Sequence, residues 1–151
     1  MDLVKTKRLL HVQEDIVLHA YDDATGLRVK APKGHITIGC GHNLDAKGIS
    51  PRVSDMMLED DIHDWVVGYN NSLQFFDKLS DVRQAALISI AHNCGMHGAL
   101  EFVDMLLYMS EGNFEKAAEE LINSDAGRSP KTARRYHDLA KMIATDEWVF
   151  V

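Results

Sequence analysis

Long apolar runs are missing from this chain. No stretch approaches the roughly 20 apolar residues of a membrane span, so no stable membrane association is expected. Met1 to Gln13 carries Lys5, Lys7 and Arg8 but lacks the apolar run of about 7 to 15 residues that a signal peptide needs. A protein made and kept in the cytoplasm, and released by some other agent, is the expectation. Cations are also in short supply: 16 Lys and Arg against 23 Asp and Glu leave a net charge of −7, which argues against a general nucleic-acid binder. The cations present are unevenly spread. Arg128, Lys131, Arg134, Arg135 and Lys141 cluster late, so a local field can be positive while the whole chain is acidic. Cysteine is scarce too, since Cys40 and Cys94 allow at most one bridge. Reducing conditions in a cytoplasm predict free thiols.

What is present points to one compact domain over residues 1–151. A hydrophobic content of 46% at this length supports a sizeable core and excludes wholesale disorder. Residues 3–13 form a short helix with Leu3, Leu9, Leu10 and Val12 available for burial. Alternating runs from about Val17 to Gly41 read as a small antiparallel sheet, interrupted by the basic segment Leu27 to Gly34, either a solvated loop tip or a flap over substrate. Ser50-Pro51 is a helix start with cap and first-turn proline in place. Leu58, Ile62, Trp65, Val66, Tyr69 and Leu73 then recur at helical spacing, giving a connector of about 20 residues and some 30 Å. Its acids Glu59, Asp60, Asp61 and Asp64 read as a solvated face before they read as a metal site. Ser80 and Asp81 open a largely apolar helix, with Gln84 as a capping-box partner and Gly95 as its end. Helices follow over about Gly98 to Ser110, about Phe114 to Ile122, and from Ser129-Pro130 onward, with Trp148 packing back. Met56, Met57, Met105, Met109 and Met142 read as gap-filling core.

The chemistry concentrates in Glu14 to His42. Glu14 stands at a helix end, Asp23 before a Thr-Gly turn, and eight residues separate them. Two carboxyls so placed can face each other across a cleft, one protonated as general acid and the other ionised to act on water or sugar, the requirement of glycoside hydrolysis. Acids at helix ends and hairpin turns are also ordinary structural features, so the pair alone leaves both readings open.

The wider pattern narrows them. Glu14-x8-Asp23, then Gly26, then Thr37-Ile38-Gly39-x-Gly41-His42-Asn43, resembles the active-site signature of the phage-type lysozymes, the endolysin muramidases of glycoside hydrolase family twenty-four. Asn93-x-Gly95, Phe102 with Leu106, Gly112-Asn113 before Ala117-Ala118, and Arg135 thirteen residues before Trp148 extend the resemblance over nearly the whole chain. It implies an α+β lysozyme-like fold: a small antiparallel β-sheet lobe over about 15–50 and a larger helical lobe over about 1–14 and 51–151, joined by a long helix. By the same resemblance Glu14 matches the catalytic acid, Asp23 the second carboxylate, and Thr37 the hydroxyl that helps hold the attacking water. Asn93 resembles a polar cleft residue that hydrogen-bonds a sugar amide, and equally fits a helix C-terminal polar residue. Arg135 resembles an arginine that orients the acid, with a surface ion pair as its plain alternative. His42, the remaining substrate-binding candidate, either orders the base of the sheet or titrates near the cleft. The substrate implied is the glycan strand of peptidoglycan, with no cofactor, a monomeric enzyme, and a holin-type partner opening the way to the wall.

Two other classes remain. A lysozyme-like virion component that binds glycan without cleaving it would keep the fold and drop the reaction. A structural zinc module is the other, because Cys40-x-His42 and Cys94-x-x-His97 supply two thiols and two imidazoles, although the first pair is tightly spaced.

Overall fold

The computed structural model describes residues 1–14, 16–22, 25–29 and 34–149. Asp23 and the basic stretch Lys30 to Lys33 lie outside the described residues. The chain divides into two units, Met1–Glu14 with Glu59–Val151, and Asp15–Leu58. The fold is α+β, mostly helical with a small antiparallel sheet.

In the first unit, α1 (Leu3–Gln13) starts where the Asp2 side chain accepts from the Lys5 N–H at 3.0 Å, satisfying one of the free donors of the first turn. That bond holds the Asp2 carboxyl below its ordinary range. Thr6, Leu9 and Leu10 form the buried strip of α1, at the i, i+3, i+4 spacing of one helix face. Val12 lies to the side of that strip and Leu3 sits where it runs out. Both were expected inward, and both are exposed.

The next helix, α3 (Pro51–Ser72), is 22 residues long and crosses the division between Leu58 and Glu59. Ser50 caps it, accepting from Val53 N–H at 3.3 Å. Glu59, Asp60, Asp61 and Asp64 are all exposed, the solvated face anticipated, and Glu59 pairs with Lys7 at 2.6 Å. Ile62 and Tyr69 turn inward. Tyr69 stacks on Phe76, centroids 5.0 Å apart, in the 3-10 turn Phe76–Lys78. Of the methionines, Met105, Met109 and Met142 are buried, but Met56 and Met57 are exposed, because their turn of α3 presents no core face.

The core is built on α4 (Asp81–Leu100). Val82, Ala85, Ala86, Leu87, Ile88, Ile90 and Ala91 are all buried, the sign of a helix enclosed on every side. Ser80 is its N-cap, accepting from Arg83 N–H. Gln84 does not close a capping box; its amide instead donates to the Phe76 and Leu79 carbonyls at 3.0 and 3.1 Å, satisfying buried acceptors of the preceding turn. Gly95 takes φ 73°, ψ 165°, yet helix resumes beyond it to Leu100. The expected end is therefore a kink, and α5 begins later than anticipated, at Val103–Ser110. Then follow α6 (Phe114–Asn123), a short α7 (Asp125–Arg128) that periodicity did not reveal, and α8 (Ala133–Thr145). The last helix starts at Ala133 rather than at Pro130 because Ser129 to Thr132 form a separate turn, with the Thr132 N–H donating to the Ser129 carbonyl at 3.0 Å and Thr132 itself non-helical at φ −120°. In this unit α8 packs on α4, α6 and α7, and α1 packs on α4. Near the end of the chain, the Lys5 ammonium lies 5.6 Å from the Trp148 ring centroid.

The second unit is sparser. Its sheet is β1 (Thr37–Ile38) paired antiparallel with β2 (His42–Asn43), followed by α2 (Leu44–Lys47). A single bridge joins Tyr21 to Arg28. The sheet expected from Val17 to Gly41 is thus shorter among the described residues. Val17, Tyr21 and Ile38 are exposed, so the alternation buries no common face, and burial is what stabilises a half-covered ladder.

Tyr69 offers a test of the core. Its hydroxyl donates to the Leu87 carbonyl at 2.7 Å, and burial first, then Cys94 and Tyr136, push its phenol above the ordinary range. The stability this contributes is fully present below the unfolded phenol's pKa of about 10 and is lost as pH rises past it. Tyr69→Phe should cost about 1 kcal/mol at neutral pH and flatten the alkaline loss. Urea unfolding across this pH range reads both, and an unchanged alkaline slope would show that Tyr69 is not its source.

Candidate active site

Glu14 terminates α1 in an extended conformation, and its N–H still donates to the Leu10 carbonyl at 2.9 Å. Its direction is set from α8. Arg135 Nη2 lies 2.5 Å from Glu14 Oε1 and also donates to the Gln13 carbonyl at 2.9 Å. The Gln13 side chain is fixed in turn, because Oε1 accepts from the buried Ser89 hydroxyl of α4 at 2.5 Å. The backbone and the side chain of Gln13, the residue before the acid, are therefore tied to α8 and α4 respectively. The Arg135 side chain is only 16% exposed against 43% for Glu14, so the carboxyl is open to solvent while its partner is enclosed. A carboxyl held this way is presented in one direction as a proton donor or acceptor.

A second feature of this unit is a cavity of about 380 Å³ whose walls include Asn93, Cys94, Glu101, Phe102, Asp125 and Tyr136. Tyr136 donates its hydroxyl to Asn93 Oδ1 at 3.1 Å and stacks on Phe102 at 5.9 Å. That bond leaves the exposed Asn93 amide nitrogen available as a donor. Burial raises the Tyr136 phenol above its ordinary range. Cys94 is exposed as a residue, yet partial desolvation of its sulfur raises the thiol, which opposes thiolate reactivity.

In the other unit Thr37 lies exposed on β1 opposite Asn43. His42, on β2, has Nε2 at 2.6 Å from the Gly48 carbonyl. A carbonyl can only accept, so Nε2 carries the proton and closes the loop from the sheet to the end of α2. Arg28 Nη2 donates to the Asp45 carbonyl, tying the start of the basic segment to α2. Asp22 accepts from the Gly26 N–H at 2.7 Å and donates to Leu27 O at 2.9 Å, a turn whose Gly26 has φ 68°. Asp23 itself lies outside the described residues.

Two tethers and one glycine escaped sequence reasoning. Ser89 and Gln13 are 76 positions apart, and Tyr136 and Asn93 are 43 apart, distances at which a single sequence carries no pairing signal. Gly48 did carry a signal, a glycine just past a short helix, but not its tight surroundings. As to metal, no group of three or more His, Cys, Asp or Glu side chains is gathered to hold an ion among the described residues. Cys40 and Cys94 are both free, and His97 lies 3.7 Å from Glu101.

Comparison with known proteins bears on this arrangement. The phage lysozyme family model matches residues 12–136. The chain is also 36% identical over 117 residues to a protein of Bacillus phage B103 described as an endolysin, a match covering 68% of this chain and 42% of that protein. The chain thus spans about two fifths of the length of that curated relative.

Gly48 permits a local test. At φ 64°, an added Cβ would meet the Leu18 carbonyl oxygen at 2.1 Å and His19 Nδ1 at 2.7 Å. Gly48→Ala should destabilise its unit by about 1 to 3 kcal/mol. Hydrogen exchange should accelerate at the Ile49 amide, which is bonded to the Leu18 carbonyl, and stay slow in α4. Unaltered exchange at Ile49 would contradict the clash.

Proposed function

Because this chain belongs to the phage lysozyme family, we propose that it is a muramidase, hydrolysing the β-1,4 bond between N-acetylmuramic acid and N-acetylglucosamine in peptidoglycan. The observation that carries the reading is the clamp on Glu14. General acid catalysis asks for a carboxyl aimed at the leaving oxygen, and the hold of Arg135 on Glu14, with Gln13 fixed by Ser89, supports that role. Likeness to an endolysin supports the substrate class. In the proposed cycle Glu14 protonates the glycosidic oxygen, while Asp23 and the Thr37 hydroxyl hold a water that attacks the opposite face of the sugar. Asn93, through its free amide nitrogen, binds a sugar carbonyl. Arg135 positions the acid, and His42 braces the segment that carries Thr37. Residues 1–151 supply one lysozyme-like domain, acting as a monomer, that reaches the wall from the host cytoplasm with help from a holin-type partner. No helix among the described residues is long and apolar enough to cross a membrane.

Glu14→Gln removes the proton donor while nearly preserving shape. Turnover in a peptidoglycan-clearing assay should fall at least ~100-fold, with the fold intact by circular dichroism. Lysis at the wild-type rate by the folded variant would end the assignment.

The role of Thr37 predicts stereochemistry. A hydroxyl beside a carboxylate nucleophile has no evident task, whereas beside a bound water it orients the attack, the arrangement of an inverting enzyme whose carboxyls stand roughly 6.5 to 9.5 Å apart. Cleavage should first release the α anomer, followed by NMR before mutarotation, and Thr37→Ala should lower turnover more than substrate affinity. First release of the β anomer, or a glycosyl ester trapped on Asp23, would make Asp23 the nucleophile instead.

A further inference from the structure

The late basic cluster does not remain a diffuse field. Of its members, Arg128 is engaged with Asp125 at 3.1 Å, whereas Lys131, Arg134 and Arg135 line a single cavity of about 290 Å³ with Val12, Gln13 and Asp138. A water's share of liquid volume is about 30 Å³, so the cavity admits a small polyatomic ion with part of its hydration. Three cations line it with one carboxylate, and the Glu14 carboxylate pairs with Arg135 beside it, which still leaves the cations in excess. In a chain of net charge −7 this is a local excess that overall composition does not explain. Lys131 and Arg134 are exposed, so both can turn toward a guest without leaving water.

Arg135 supplies the second observation. Its Nη2 serves Glu14 and the Gln13 carbonyl, but its Nη1 is buried with no hydrogen-bond partner among the described residues. A buried charged donor left unpaired is costly, and a guanidinium offers its nitrogens as a fork suited to two oxygens of one anion. From the orphaned nitrogen and the cationic lining together, we infer that this cavity binds a phosphate-type oxyanion through Arg135, Arg134 and Lys131. Arg135 is thereby shared between the anion and Glu14. The chemistry fits the phosphodiesters of an anionic wall polymer and free inorganic phosphate alike. The cavity stands independently of the muramidase reading, but a wall polymer as its natural occupant rests on that reading.

Binding is read without turnover, so the result separates from that of the lysis assay. The full chain is titrated with inorganic phosphate at low ionic strength and followed by amide NMR, with chloride at matched ionic strength as control. A saturable response centred on residues 12–14 and 131–138 is expected. Lys131→Gln with Arg134→Gln should weaken binding by about tenfold or more, and Arg134→Lys alone should weaken it less. Asp138→Asn removes the opposing carboxylate and should tighten binding. Glu14→Gln, which releases Arg135 from its anionic partner, should tighten it as well, an effect that a merely structural arginine would not produce. A soluble glycerol-phosphate oligomer that binds more tightly than inorganic phosphate identifies the wall polymer as occupant; binding of inorganic phosphate alone identifies the free ion. Absence of saturation in the millimolar range, an equal response to chloride, or unchanged affinity in the folded double variant would overturn the site.

Discussion

A carboxyl at the open end of a helix swings freely unless something outside the helix holds it, and in this chain one arginine does. Arg135 reaches from α8 to the last residue of α1 and to the acid just beyond it, bonding a carbonyl and a carboxylate with the same nitrogen. The ion pair adds little to stability as such, because Glu14 is substantially exposed and solvent screens the pair. Its effect is directional. Moving α8 against α1 would redirect the carboxyl, so the packing of α4 on both helices fixes where Glu14 points.

That packing was the most legible part of the molecule. Ala85, Ala86, Ile88 and Ile90 announce an enclosed helix by composition, and Ser80, Ser50 and Asn113 cap helices where polar residues precede periodic runs. The misread boundaries have local physical causes. Gly95 marks a change of direction rather than an end, because helix resumes on its far side. Gln84 sits at the capping-box position but has buried carbonyls to serve, and a buried acceptor outweighs an exposed cap. The sheet was overestimated for a different reason. Alternation in sequence reports which side chains share a face, and only burial of that face turns the pattern into a ladder.

The candidate site was legible unevenly. Glu14, Thr37 and His42 stand out by motif, and the arginine thirteen residues before Trp148 by position. What motif reading does not deliver is the tether of Gln13 to Ser89 or of Asn93 to Tyr136, since tertiary pairs of large sequence separation leave no trace in one chain. Such tethers determine whether a polar residue is an ornament of a helix end or a fixed donor. Asn93, whose oxygen is occupied, has only its amide nitrogen to offer a ligand.

The two units differ in the rigidity they confer. Glu14 is anchored to a unit whose core includes large buried side chains such as Tyr69, Tyr136 and Phe76. Thr37 belongs to a unit in which, among the described residues, only Gly48 is buried, and in which Ile16, Val17, Tyr21, Leu27 and Ile38 are exposed. Few buried apolar contacts mean a low local opening free energy, so the order of the segment bearing Thr37 depends on polar closures. Besides the β1–β2 pairing, these include His42 to the Gly48 carbonyl, Arg28 to the Asp45 carbonyl, and the Ile49 amide to the Leu18 carbonyl. Each of these closures ends on a backbone acceptor, and two of them converge on Gly48 and its neighbour. The Glu14 carboxyl is held by a large core and the Thr37 hydroxyl by a few backbone contacts, so the position of the second is the more sensitive to substitutions elsewhere in its own unit.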